Sequence, residues 1–428
     1  MKNYNLIELN KILLILFPGF LISGPFLTDA SGTFIGLSIL IYLIVKKKLS
    51  FFNNNYFYFF ILIYLFLNLS SLFSNYSDIA FRSSFVYFRL IFFIFGVAYL
   101  IKYFAYISSN IYKFYYLCIL ILLIDSLIII LFDINIFGNP TDQHSRVRSL
   151  FGDESIMGSF VSRTLPLMIG VSYLFNLNNK DNLNYILIFV SIILVILSGE
   201  RTAIANMIIF IFFFLFLNRK FIIKFFSLLL IVITITHIIN PDSLKRIINH
   251  TKFQLLNERV ISLSNETYSN DYFVVFSFRH TLHYFTALKI FQDYPILGGG
   301  IKSFRYICSD PEYVNKLNSK YKLETLDRYG YENGCNTHPH HVYLQFLAET
   351  GILGFVLFLS IFLYVVYQLF ILMRKSLKLD NIKLENYYFL VAIFISMFPF
   401  LPSGNYFNNW FIFINYFPIG FYLASKIR

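Results

Sequence analysis

Nearly uncharged apolar runs of about 18 residues or more recur along most of this 428-residue chain, each long enough to cross a hydrocarbon core of about 30 Å as a helix. Such runs leave few folds open. Backbone groups inside lipid must bond to one another, so only helices and closed barrels span it. Barrel strands would alternate apolar and polar residues, and these runs do not. Composition agrees: 57% of residues are hydrophobic, 14% are charged and mean hydropathy is +0.64, against about 45–50% apolar and about 25% charged in a soluble domain. The chain reads as an all-α integral membrane protein.

Counting the runs gives about 12 transmembrane helices, near residues 11–27, 29–45, 56–73, 84–101, 112–132, 154–176, 184–198, 202–217, 221–239, 342–373, 387–402 and 409–425. Nine lie in residues 1–239 and three in 342–428, separated by one long polar segment, 240–341. Lysine and arginine are enriched in cytoplasmic loops. The basic segments at Lys46–Lys48, around Lys180, at Asn218–Lys220, after Arg374 and at the C-terminus share one side if both termini are cytoplasmic. The first apolar run lacks a basic start followed by a small-residue cleavage site, so no cleavable signal is expected.

The opposite face then receives the connection "GNPTDQHSRVRSLFGD", the tight "SGER" turn and the long segment. A connection of that length is a folded functional element or a linker. Its aromatic and apolar content, as in "DYFVVFSFRHTLHYFTALKIFQDYPILGGG", favours a folded, partly helical element. Cys308 and Cys335 both lie in it and Cys118 in an expected span. In an oxidising compartment the loop pair can close a disulfide; chance placement in one loop is the alternative.

The formal net charge of +12 is scattered between apolar spans and forms no stripe or arm, so no nucleic-acid partner is expected and anionic membrane lipid is the counter-charge. The 54 Phe and 32 Tyr accompany abundant Ile, Asn and Lys, a compositional bias without functional weight.

Where the long segment meets the next span, "CNTHPHHVYLQFLAETGILGF" gathers three of the eight histidines, His338, His340 and His341. A solvated loop with chance histidines is the bland reading. A metal site lacks a ligand set, because no paired Cys or Glu stands at ligand spacing. Acid/base or anion-binding work remains, together with Arg146, Arg148, Arg163, Arg201 and Arg279, since guanidinium forks match phosphate oxygens. Gly298–Gly300 lack the lysine and preceding strand of a nucleotide loop and read as a turn after a helix. Gly351 and Gly354 read as a close helix-packing face.

"SGERT", the "ALKIFQDYPILGGGIKSF" block and above all "HPHHVYLQFLAETGILGF" resemble the O-antigen ligase and O-antigen polymerase superfamily of bacterial inner membranes. The family pattern at the last site is His-x-His-Asn-x-Tyr-Leu-Gln followed by Glu-x-Gly. His338, His340, Tyr343, Leu344, Gln345, Glu349 and Gly351 match it, while His341 stands where the family has Asn.

The resemblance implies transfer of a glycan from an undecaprenyl-diphosphate carrier to an acceptor hydroxyl at the periplasmic face, with inversion and without metal, cofactor or nucleotide sugar. His338 and then His340 are the implied bases. Arg201, Arg279 and Arg163 are the implied diphosphate ligands, and Glu154, Glu200 and Tyr343 contact sugar or acceptor. The acceptor would be lipid A core for a ligase, the reading preferred here, or a carrier-linked repeat unit for a polymerase. A transporter or flippase would need ionisable residues near the midplane and a repeat between halves. Arg89 and Arg163 are the only basic residues well inside expected spans, and no repeat is visible.

Overall fold

The computed structural model describes residues 2–139, 146–175, 180–256, 275–321, 334–378 and 381–427. Parts of the expected 138–153 connection, of the basic segments near Lys180 and after Arg374, and of the 240–341 segment lie outside the described residues.

The described residues are helical, with no β-strand among them. In chain order the helices are α1 (Lys2–Ser23), α2 (Pro25–Val45), α3 (Asn55–Leu72), α4 (Ser77–Phe85), α5 (Phe88–Tyr103), α6 (Ile107–Phe132), α7 (Met157–Ser172), α8 (Lys180–Leu197), α9 (Arg201–Leu217), α10 (Ile222–Ile239), α11 (Pro241–Leu256), α12 (Phe278–Asp293), α13 (Phe304–Ile307), α14 (Pro311–Tyr321), α15 (Val342–Leu377), α16 (Leu384–Ser396) and α17 (Asn409–Ala424). All twelve expected spans fall on helices. Among the described residues six segments are long and apolar enough to cross a membrane: Asn5–Ser23, Pro25–Val45, Asn55–Leu72, Ser77–Tyr103, Ile107–Phe132 and Val342–Leu377.

Two helices form the core. α5, "FRLIFFIFGVAYLIKY", is apolar all round and buries every residue from Phe93 to Ile101 between α2 and α17. Gly36 permits that approach, because a Cβ there would lie 2.6 Å from the Phe93 backbone nitrogen of α5. α7 is buried along its length against α16, α8 and α9. By contrast α3 exposes Leu62, Leu65 and Leu69, and α15 exposes Leu353, Val356, Leu363 and Phe370, side chains suited to hydrocarbon.

Two expected spans are interrupted. The run near 84–101 is α4 and α5, joined by a turn at Val86 and Tyr87. The run near 342–373 breaks at Gly351, whose φ of 63° and ψ of −168° are not helical. Gly351 is therefore a backbone break; only Gly354, against Phe66 of α3, acts as a packing glycine. Groups freed by the break bond to the segment after α12. Ile352 N–H donates to Pro295 O at 2.8 Å, and the N–H groups of Gly299 and Gly300 donate to Ala348 O and Glu349 O at 2.8 and 2.9 Å. Gly298, at φ 75°, lies so close to Thr350 and Gly351 that a Cβ would collide with their backbone. The three glycines thus do more than end a helix: they dock it onto the break.

The described parts of 240–341 are folded. Ala287 and Ile290 of α12, Phe304, Ile307, Cys308, Tyr313 and Ala348 of α15 make a small separate core. Cys308 and Cys335 form a disulfide with Cα atoms 5.0 Å apart, which fastens the histidine segment to α13.

Candidate functional site

The site is a polar cavity of about 660 Å³ at the end of the bundle where the long segment lies. Its walls come from Arg146, the start of α7, the α8–α9 turn, Phe276 and His280, the histidine segment, and residues 401–404 with Trp410 and Phe411. The Asn408 side chain caps α17 by accepting from Trp410 N–H at 2.9 Å, which fixes those two aromatics in the wall.

Arg163 sits in the second turn of α7. It is 5% exposed, its guanidinium lies 4.9 Å from the Phe411 ring centre, and its Nε and Nη1 have no hydrogen-bond partner. The Nε of Arg146 is likewise buried without a partner. Arg201 completes the cationic wall. Arg148 is drawn off toward Asp153, 3.7 Å away. Buried guanidinium groups without acceptors are costly unless an anion joins them, so this wall suits phosphate oxygens.

Glu200 precedes α9, yet its carboxylate turns to α7. Its two oxygens accept the N–H groups of Gly158 and Ser159 at 2.6 and 3.1 Å, capping that helix from outside. Burial pushes its carboxyl up to about 7, against the pull of those bonds and of Arg163 and Arg146. Glu154 lines the cavity mouth and is exposed.

The imidazoles are held individually. The Nε2–H of His338 donates to Ser403 O at 3.3 Å, which leaves Nδ1 basic, and the Thr337 hydroxyl donates to that atom at 3.0 Å. His340, at φ 54°, lies with its ring centre 4.1 Å from that of His338 and receives the Asn336 amide at 3.1 Å. Burial, then the neighbouring His340, lowers His338 to about 3; burial and His283 lower His340 to about 4. Both are neutral bases at pH 7.

His341 does different work. Its Nδ1 accepts Leu344 N–H at 3.4 Å as the N-cap of α15, and its Nε2–H donates to Pro399 O at 2.9 Å. Asn, the family residue here, is a preferred N-cap. Its Oδ1 is as many bonds from Cα as the Nδ1 of histidine, so the departure from the pattern preserves the cap.

Six of the eight sequence-predicted site residues therefore line one cavity: Glu154, Arg163, Glu200, Arg201, His338 and His340. Two lie elsewhere. Arg279 is exposed, and its neighbour His280 lines the cavity instead. Tyr343 donates to Met397 O at 2.7 Å and packs among Phe355, Phe358 and Phe362, tying α15 to the end of α16. Sequence reasoning missed His280 and His283, whose rings lie 5.6 and 5.4 Å from His340. It also missed Ser403, which acts through its backbone carbonyl. Among the described residues no three His, Cys, Asp or Glu side chains are arranged to hold a metal ion.

A multi-pass helical membrane protein with a polar cavity at one end is the class these features define. Residues 186–359 match the family model described as O-Antigen ligase, a match over part of the chain that supports the likeness to the O-antigen ligase superfamily. The match runs from α8 to the middle of α15 and includes Arg201 and the histidines, while Arg163 and Ser403 lie outside it. No curated protein matches the chain.

Proposed function

We propose that this chain transfers a glycan from an undecaprenyl-diphosphate carrier to an acceptor hydroxyl at the periplasmic face of the bacterial inner membrane, as an O-antigen ligase. The reading rests on one juxtaposition: the neutral, oriented imidazole of His338 shares a cavity with the unpartnered guanidinium of Arg163. In the reaction the acceptor hydroxyl gives its proton to His338 Nδ1 as its oxygen bonds to the anomeric carbon. The bond from that carbon to the diphosphate oxygen breaks, and its electron pair leaves on the lipid diphosphate. Arg146, Arg163 and Arg201 face the charge that develops there. Displacement from the opposite side inverts the anomeric centre. Thr337, whose hydroxyl occupies Nδ1 in the resting site, marks where the acceptor hydroxyl would bind.

His338→Gln in nanodiscs, supplied with lipid-linked donor, should lower transfer about a hundred- to ten-thousandfold while donor binding persists. Undiminished transfer would remove the base assignment. The polymerase alternative shares this chemistry and differs in acceptor. In a host lacking the chain, long polymer stranded on the carrier supports the ligase, and single repeat units attached to the core support the polymerase.

A further inference from the structure

Two cations near the site are not used by this reaction. Lys302 follows the docked glycines at φ 60°, and Arg305 lies three residues on, in α13. Both are half-buried, and neither side chain has a hydrogen-bond or ion-pair partner among the described residues; the Nε of Arg305 is wholly buried.

The nearby carboxylates are engaged already. Glu349, fully buried, accepts the N–H of Phe304 at 3.3 Å and the Gln345 amide at 3.2 Å. That amide also donates to Asn405 at 2.7 Å. Asp29 holds Arg89 at 2.9 Å and Asn409 at 3.0 Å, and the Nε of Arg89 is left unpartnered. Burial, then the Arg305 charge, holds the Lys302 ammonium below the usual lysine range. The buried Nε of Arg305 is the costly group, since it has no acceptor until one is brought to it.

Neither residue lines the donor cavity, yet α13 is bound to the histidine segment by the Cys308–Cys335 disulfide, and Cys335 Sγ lies 3.9 Å from Arg305 O. An anion held there would sit apart from the arginine wall of the cavity, next to the segment that carries the histidines. An arginine fork beside a lysine point charge suits phosphate. The geometry points to Lys302 and Arg305 as a second anion site that takes a phosphate group of the glycan acceptor, an assignment that rests on the transfer reaction proposed above. Lipid A core phosphates and the diphosphate of a carrier-linked repeat unit share this chemistry.

The test uses the full chain in nanodiscs, with a phosphorylated core oligosaccharide and its phosphatase-treated form as probes. Replacing both residues, Lys302→Gln with Arg305→Gln, should weaken binding of the phosphorylated probe about ten- to a hundredfold and raise the acceptor KM alike. Donor KM and melting temperature should not move. The dephosphorylated probe should bind wild type and variant equally weakly. Arg305→Lys, which keeps the charge, should restore most of the binding and so separates recognition from misfolding. The same KM rise with a carrier-linked repeat unit assigns the anion to the carrier diphosphate; a rise with the core oligosaccharide alone assigns it to core phosphates. Phosphorylated probe bound as tightly by the variant as by wild type, or equal losses for both probe forms, would overturn the site. Binding is read without donor, so a wild type that binds the probe but transfers nothing counts against the reaction and not against this site.

Discussion

Replacing Glu200 with glutamine is expected to raise the thermal stability of the protein at pH 8 and leave it nearly unchanged at pH 5. Glu200 lies in the turn outside α8 and α9, is 8% exposed, and titrates near 7 in the folded chain against 4.5 when solvated. The folded pKa is the higher one, so folding favours the protonated acid. That contribution is complete below pH 4.5 and is lost as pH rises through about 7. The full loss corresponds to about 3 kcal/mol above pH 7, at about 1.4 kcal/mol per unit. Glutamine has the shape of the protonated acid, keeps one acceptor oxygen for the α7 N-terminus and does not titrate. The two proteins should differ by less than about 1 kcal/mol at pH 5 and by about 2–3 kcal/mol in favour of glutamine at pH 8. Melting curves in nanodiscs at both pH values are the assay. Parallel stability profiles across this range, or a glutamine variant that melts lower at pH 8, would refute the reasoning and mean that the ionised carboxylate is a net stabiliser of α7.

Three further outcomes follow from the geometry. His341→Asn should keep the cap of α15 and melt within a degree or two of wild type, whereas His341→Ala should lose about 1 kcal/mol of helix stability, visible as a lower melting temperature. Gly351→Ala should be strongly destabilising, by several kcal/mol, because the new Cβ meets the Ile296 carbonyl at a left-handed backbone position; expression level and melting both read this. Maleimide labelling of the unfolded chain should find one reactive thiol, Cys118, before reduction and three after it; three thiols without reductant would remove the disulfide.

The helices were legible because the lipid-length apolar run is a strong signal, and six of the expected site residues fall in one cavity because loops at one end of a bundle share a neighbourhood. What failed was orientation within α12. His280, His283, Ala287 and Ile290 recur at three- and four-residue spacing and turn inward, while Arg279, about 100° around the helix from His280, is exposed. That period was present in the sequence and outweighed by the charge of the arginine. The break in α15 was hidden for another reason: "ETGILGF" reads as an ordinary apolar helix, and the groups that make the break tolerable come from Pro295–Gly300, far away in sequence. Ser403 left no signal at all, since a backbone carbonyl carries no residue type.

The carbonyl that fixes the His338 tautomer and the one that holds His341 belong to Ser403 and Pro399, in the last connection before α17. Trp410 and Phe411, which close the cavity, come later still. During synthesis the histidine segment is made some sixty residues before its partners. Until that last part of the chain is made, neither imidazole has its carbonyl partner and the arginine-lined cavity lacks one wall. The cavity is thus completed last: a chain that ends before α17 carries nearly every polar side chain of the lining but lacks the Trp410 and Phe411 wall.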